Sequence, residues 1–346
     1  MDGMPPIVDQ HSHGAVQGEL GLGRFETHLA AAAGSTGPAP PGTTFFDSRA
    51  GLAVLRWCPP LLGLEPFCAP VRYLARRREL GAYRAGRLLL RGAGIGTFLL
   101  ESGGPGGLTS AAELAHAAEG RAHEVVRLET LADRIAGDHE GVDRFLSRTA
   151  EALDTAARGA TAFACAVRSC DGRAPDVPEV RRAVARRLRT GRTCPTTADP
   201  TLVRHLLWSA LGTGLPVQLH CRDPRRLARL LAATAGSGTD LVLFPDPGHH
   251  RQAARLAAAY PHVYADVGPR PEEVLPEAPF GKLLFSTGAR ALPELYVVGA
   301  RSFALAMGRL MAEWVADGWC RWAEARRIAG LVAAGTARRV YRLEAA

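Results

Sequence analysis

The chain has very little lysine. Lys282 is its only one, so nearly all of its basic charge is arginine. It has no apolar run of the roughly 18 residues that a membrane span needs, and none is expected. Its seven cysteines (Cys58, Cys68, Cys165, Cys170, Cys194, Cys221 and Cys320) are widely spaced, odd in number and form no C-x-x-C. That excludes a disulfide framework or a zinc ribbon and predicts reduced, buried thiols. No G-x-G-x-x-G follows the first apolar run, which argues against a dinucleotide fold. No repeat of solenoid period occurs. Residues 1–10 carry no basic or long apolar stretch, so no secretory signal is expected and the cytoplasm is the expected compartment.

What is present suits a globular protein. Hydrophobic residues make up 47% and charged residues 22% of 346 positions. The net charge is +8. The arginines are spread along alanine-rich helical segments such as Val180 to Arg192 and Arg225 to Leu231, which read as solvated faces. With no aromatic-interleaved basic strip, nucleic acid is not an expected partner.

Short β-like runs alternate with longer helical patterns, which implies a parallel sheet with crossover helices. The predicted strands are Pro6–Asp9, Gly96–Glu101, Glu124–Glu129, Ala160–Val167, Pro216–His220, Asp240–Pro245, His262–Asp266 and Lys282–Thr287. Helical spacing predicts Ser110–Glu119, Val142–Arg158, Thr201–Leu211, Arg225–Ala235 and Arg251–Tyr260. The expected fold is α/β, a (β/α)8 TIM-type barrel over 1–346 as one domain. It carries a helical insertion of two or three helices at about 45–92, whose segment Tyr73–Arg91 is helical and dense in Arg, and C-terminal helices at about 293–342. A doubly wound open sheet is the main alternative. The Gly/Pro-rich stretch Ala32–Thr44 reads as a mobile loop. In a barrel the insertion would sit over the C-terminal mouth, where active sites are built.

Candidate chemistry begins at Ile7-Val8-Asp9-Gln10-His11-Ser12-His13-Gly14. Side chains alternate along a strand, so His11 and His13 point the same way and can bind one metal from one side. Leu215-Pro216-Val217-Gln218-Leu219-His220 is a buried-type strand ending in His, which makes His220 a third ligand. Three ligands and an open position suit a catalytic zinc, so one divalent metal, zinc, is the expected cofactor. A base to assist water would come from Glu129, Asp246 or Glu101. His249 and His250 read as a capped, solvent-facing turn.

These motifs, with the late run Gly281-Lys282-Leu283-Leu284-Phe285-Ser286-Thr287-Gly288 and Leu292-Pro293-Glu294-Leu295-Tyr296, resemble the amidohydrolase superfamily. The likeness is to the branch of the amidohydrolase-like domain of fungal FluG-type proteins. Phe46-Asp47-Ser48, Gly94-Ile95-Gly96-Thr97-Phe98 and Tyr260-Pro261-His262-Val263-Tyr264-Ala265-Asp266 are similar to it as well. The resemblance implies H-x-H on strand one, Lys or Glu on strand four, His on strands five and six, and a proton-accepting Asp on strand eight. It also implies that Arg251 orients an anionic substrate group.

The sequence departs from that pattern. Ala164 falls near the strand-four position, Pro245 where strand six would carry His, and Gly288 where strand eight would carry Asp. Lys282 begins strand eight, at the wrong end of the barrel to bridge metals. Two functions are therefore weighed. One is a metal-dependent hydrolase of the amidohydrolase type, with reduced activity, in which His11, His13 and His220 hold the metal, Glu129 or Asp246 assists water and Arg251 binds substrate. The other is a catalytically inactive barrel that binds a ligand or partner. The expected partner is a small molecule, with no membrane and with a homo-oligomer allowed.

Overall fold

Eight short apolar runs become eight parallel strands because each must bury both of its faces between barrel interior and helical layer. The computed structural model describes residues 6–35, 37, 39–102, 107–136, 141–190, 195–196 and 199–344. The predicted mobile loop falls partly, and Cys194 wholly, outside them. The strands are β1 (Ile7–Ser12), β2 (Ile95–Ser102), β3 (Arg121–Arg127), β4 (Ala162–Ala166), β5 (Val217–Cys221), β6 (Leu241–Pro245), β7 (Val263–Asp266) and β8 (Leu283–Leu284). They pair in the order β1-β2-β3-β4-β5-β6-β7-β8. The sheet closes where Gln10 N–H donates to the Phe285 carbonyl (3.1 Å) and Gly288 N–H to that of His11 (3.0 Å). The fold is an eight-stranded parallel barrel of TIM type, as the alternation predicts.

The helices, in chain order, begin with four between β1 and β2: α1 (Leu22–Ala32), α2 (Arg49–Leu61), α3 (Pro70–Leu80) and α4 (Ala82–Gly92). Next come α5 (Ala111–Ala118), α6 (Leu128–Ala136), α7 (Val142–Gly159), α8 (Val177–Thr190) and α9 (Pro200–Leu211). Then follow α10 (Ala228–Ala233), α11 (His250–Ala259), α12 (Pro271–Val274), α13 (Pro293–Ala316), α14 (Trp322–Gly330) and α15 (Thr336–Val340). The insertion over 45–92 holds three of these helices, in line with the two or three expected, and its Arg-dense segment Tyr73–Arg91 divides at Gly81, whose φ of +76° no helix allows. α2 and α4 pack on α13, and α4 also packs on α5, so the insertion is anchored in the outer helical layer. The anchor is a buried set in which Arg77 Nε lies 2.9 Å from Glu294 Oε1 and Tyr73 donates to the same oxygen at 2.7 Å. α13 is long and apolar enough to cross a membrane by length and composition, and its buried residues face the core. Among the described cysteines, five are buried and all six are unpaired.

Two apolar cores result. One fills the space between strands and helices. The other lines the barrel interior with Val8, Leu99, Val125, Ala162, Ala164, Val242, Phe244, Tyr264 and Leu284. Ala334, Ala337, Val340 and Tyr341 of the C-terminal segment join this inner core. Arg339 bonds the Gly281 carbonyl just ahead of β8, so α15 stoppers the N-terminal end of the barrel. The opposite, C-terminal end is left for chemistry.

Candidate metal centre

Inward-facing positions alternate along each strand, so the interior core predicts which residues reach the mouth. Two residues beyond Leu99 comes Glu101 and two beyond Val125 comes Arg127. Two beyond Tyr264 comes Asp266, while His220 pairs level with Phe244 across β5 and β6. His11 joins them from β1, whose register shifts between Asp9 and Ser12. That irregularity re-aims the chain, so Gln10 and His11, although adjacent, both reach buried partners. Strict alternation from the sequence does not foresee this. His13 lies just past the strand, and Gly14 follows it with no room for a side chain, since a Cβ there would be 2.3 Å from the Thr109 carbonyl oxygen.

The histidines converge. The His11 ring lies 5.0 Å from that of His13 and 4.7 Å from that of His220. Glu101 completes the group: its carboxylate is 3.9 Å from His13 Nδ1 and 3.8 Å from His220 Nε2. Among the described residues, donor atoms of His11, Glu101 and His220 lie within 4.8 Å of one another. His220 Nε2 is buried and has no hydrogen-bond partner in the protein, so its lone pair or proton is left to something else. Two imidazoles and one carboxylate form a known catalytic zinc ligand set with an open fourth position. The donors present therefore fit a divalent metal.

Burial sets the charge state. It lowers the His11 pKa to about 4 and pushes those of His13 and His220 down as well, so all three rings are neutral at pH 7 and able to act as ligands. Burial raises Glu101, but the Arg127 guanidinium beside it holds it below its ordinary value. Arg127 ion-pairs directly with Glu101. The carboxylate is thus kept ionised in a largely dry setting.

Phe244 is the neighbour that the sequence did not single out. Its ring stacks on His220 at 5.0 Å and 16° and lies 5.0 Å from His11. Phe244, and not Pro245, is therefore the β6 residue facing the histidines. At strand eight, Gly288 has φ +58° and supplies only its N–H, to the His11 carbonyl. Two buried carboxylates, Asp9 and Asp266, accept hydrogen bonds from the chain that follows β8. Asp9 accepts from the Thr287 N–H (2.8 Å) and hydroxyl, and burial raises its pKa to about 7. Asp266 accepts from Ser286 Oγ (2.7 Å) and lies 3.8 Å from His250 Nε2. His250 is thus turned inward and not toward solvent, wedged against Gly268, where a Cβ would be 2.4 Å from its ring.

The other predicted site residues are placed elsewhere. Glu129 lies in the first turn of α6 and not at the end of β3; it is buried and accepts from the Ala166 N–H. Asp246 is exposed beside Arg222, 3.9 Å away. Arg251 shares Glu277 with Arg255 on the protein surface. Lys282 caps the backbone carbonyls of Tyr260 and Val263 at the start of β7, remote from the mouth as expected. Asp266, Arg127 and Phe244 were legible only as strand-terminal residues, a weak signal until registers are known.

No family model matches the chain, and no curated protein does. Solved structures do. A Lactobacillus casei protein provisionally named a metal-dependent hydrolase aligns with TM-score 0.79 and 18% identity, over 99% of this chain and 96% of its own. Glucuronate isomerase from Caulobacter crescentus aligns with TM-score 0.69 and 16% identity, over 99% and 92%. Uronate isomerase from Thermotoga maritima aligns with TM-score 0.68 and 14% identity, over 97% and 94%. At such identities the likeness establishes the architecture: this chain has the barrel fold of those enzymes along essentially its whole length.

Proposed function

We propose that this chain is a metal-dependent hydrolase of the amidohydrolase type, acting on a small molecule at the C-terminal mouth of its barrel. The observation that carries this reading is the convergence of His11, Glu101 and His220 around an orphaned, buried imidazole nitrogen. His11, Glu101 and His220 would hold one divalent cation, zinc by the ligand set. When bound, such a cation supplies Lewis-acid activation of water and of a substrate carbonyl. The chain's own groups do the rest. Arg127 keeps Glu101 ionised and aimed. His13, more exposed than His11, stands at the edge of this group with Nδ1 3.9 Å from the Glu101 carboxylate, outside direct hydrogen-bond reach. Phe244 forms an apolar wall that excludes water from one side.

A second reading is a barrel that binds without turnover. Phe244 favours it, since an aromatic ring stands where a further ligand would face the histidines. Elemental analysis of the purified protein, beside His11→Ala and His220→Ala variants, tests the first reading. One bound metal per chain, lost in both variants, supports it. No stoichiometric metal after reconstitution with zinc, manganese or iron would leave the binding protein as the better account.

A further inference from the structure

Beneath His11 a chain of hydrogen bonds crosses the barrel interior. Gln218 Nε2 lies 2.8 Å from the Gln10 carbonyl oxygen and 3.1 Å from the Tyr341 hydroxyl. A carbonyl oxygen only accepts, so the amide nitrogen of Gln218 is fixed on that side. Its amide oxygen then faces His11 Nδ1 at 3.1 Å. That oxygen only accepts too, so the proton of the neutral ring sits on Nδ1 and Nε2 presents a lone pair. Tyr341 accepts from Gln218 and spends its own proton on Gln10 Oε1, at 3.0 Å. Gln10 Nε2 in turn donates to Asp266 Oδ1 at 3.2 Å. Every bond runs the same way, from His11 through Gln218, Tyr341 and Gln10 to Asp266. Gln10 and Gln218 are fully buried and Tyr341 almost so, which leaves no water to substitute for a missing partner.

We infer that Gln218, held at its amide nitrogen by the Gln10 carbonyl and the Tyr341 hydroxyl, is a positioning residue that fixes His11 as its Nδ1–H tautomer, with Nε2 as the metal-donor nitrogen and Tyr341 as the second anchor from the C-terminal segment. The consequence for metal binding rests on the hydrolase reading above; the tautomer does not. A ligand histidine that donates its other N–H is more basic and better oriented than a free one. The C-terminal segment that stoppers the barrel floor thus reaches the chemistry at the mouth. Without the Tyr341 hydroxyl, Gln218 loses one of two anchors, and the Gln10 amide is free to turn over.

The test uses full-length protein labelled with 15N-histidine, metal-free at pH 7, with the His11 signals assigned by His11→Asn. The native protein is expected to show His11 protonated at Nδ1. Gln218→Leu is expected to move it toward the Nε2–H form, and Tyr341→Phe, which leaves the Gln10 carbonyl as the one anchor, to move it part of the way. Zinc affinity, read by competition with a chelating dye, should fall about tenfold or more in each. Circular dichroism identifies any variant that fails to fold, and the other then carries the measurement. An unchanged His11 tautomer in the folded variants overturns the inference, whatever happens to affinity. A tautomer that shifts in the variants, beside a native protein that binds no zinc, upholds the inference and overturns the metal reading.

Discussion

His220 and Phe244 stand level on adjacent strands, their rings stacked 5.0 Å apart at 16°. An imidazole that is a candidate ligand is thereby flanked by a wall that cannot be one. Phe244→His is expected to add a donor without breaking the barrel. Zinc should bind at least tenfold more tightly, at a stability cost of about 1–3 kcal/mol for placing a polar ring in an apolar layer. Calorimetric titration with zinc and chemical unfolding measure the two. Unchanged affinity in a folded variant would show that Phe244 does not face the metal position.

Glu101→Gln removes the charge that pairs with Arg127. Breaking a buried pair from one side costs roughly 3–5 kcal/mol, so a clear drop in unfolding midpoint is expected. Metal retention should fall with it. A variant that unfolds like the native protein and keeps its metal would remove Glu101 from the centre.

The metal-free protein should lose stability in mild acid. The His11 pKa is depressed to about 4 from an ordinary 6.5, and those of His13 and His220 are depressed as well. Between these limits the unfolded chain binds protons that the folded chain refuses. The stability from His11 is therefore complete above pH 6.5 and is lost as pH falls toward 4, and His13 and His220 add losses of the same sign. Asp9 runs the other way: its pKa, raised to about 7, stabilises the fold most below pH 3.8 and is lost as pH rises through 7. Urea unfolding at pH 4.5, 5.5 and 7 should show a weaker acid loss in His11→Asn than in the native protein. Identical slopes would contradict the burial of His11.

Glu294→Gln leaves Arg77 buried without its counter-charge beside Tyr73. Stability should fall by roughly 3–5 kcal/mol. Residual folded protein should still bind metal, because this cluster anchors the insertion and touches no centre residue. Loss of metal from the folded fraction would tie the insertion to the mouth.

Asp246→Asn and Arg251→Ala should change little. Both side chains are exposed in surface pairs, which are worth about 0–1 kcal/mol. Metal content and stability close to native are expected from elemental analysis and thermal unfolding. A large loss of metal in Asp246→Asn would bring that carboxylate back to the centre.

The sequence by itself determined the barrel. Eight apolar runs spaced by helical patterns can bury both faces only as a parallel sheet wrapped in helices. It also determined that His11, His13 and His220 would stand at strand ends on one side, because those positions follow directly from where apolar runs stop. Only the tertiary structure decided which carboxylate joins them. Glu101, Glu129, Asp246 and Asp266 all sit at the ends of strands in the sequence, and one residue of register sends a side chain inward or outward. β3 ends at Arg127, two residues earlier than its apolar pattern suggests, so Glu129 turns onto α6 while Arg127 enters the mouth. The link from Tyr341 to His11 spans nearly the whole chain. No local spacing encodes it, because it exists only once the C-terminal helix has filled the floor of a closed barrel.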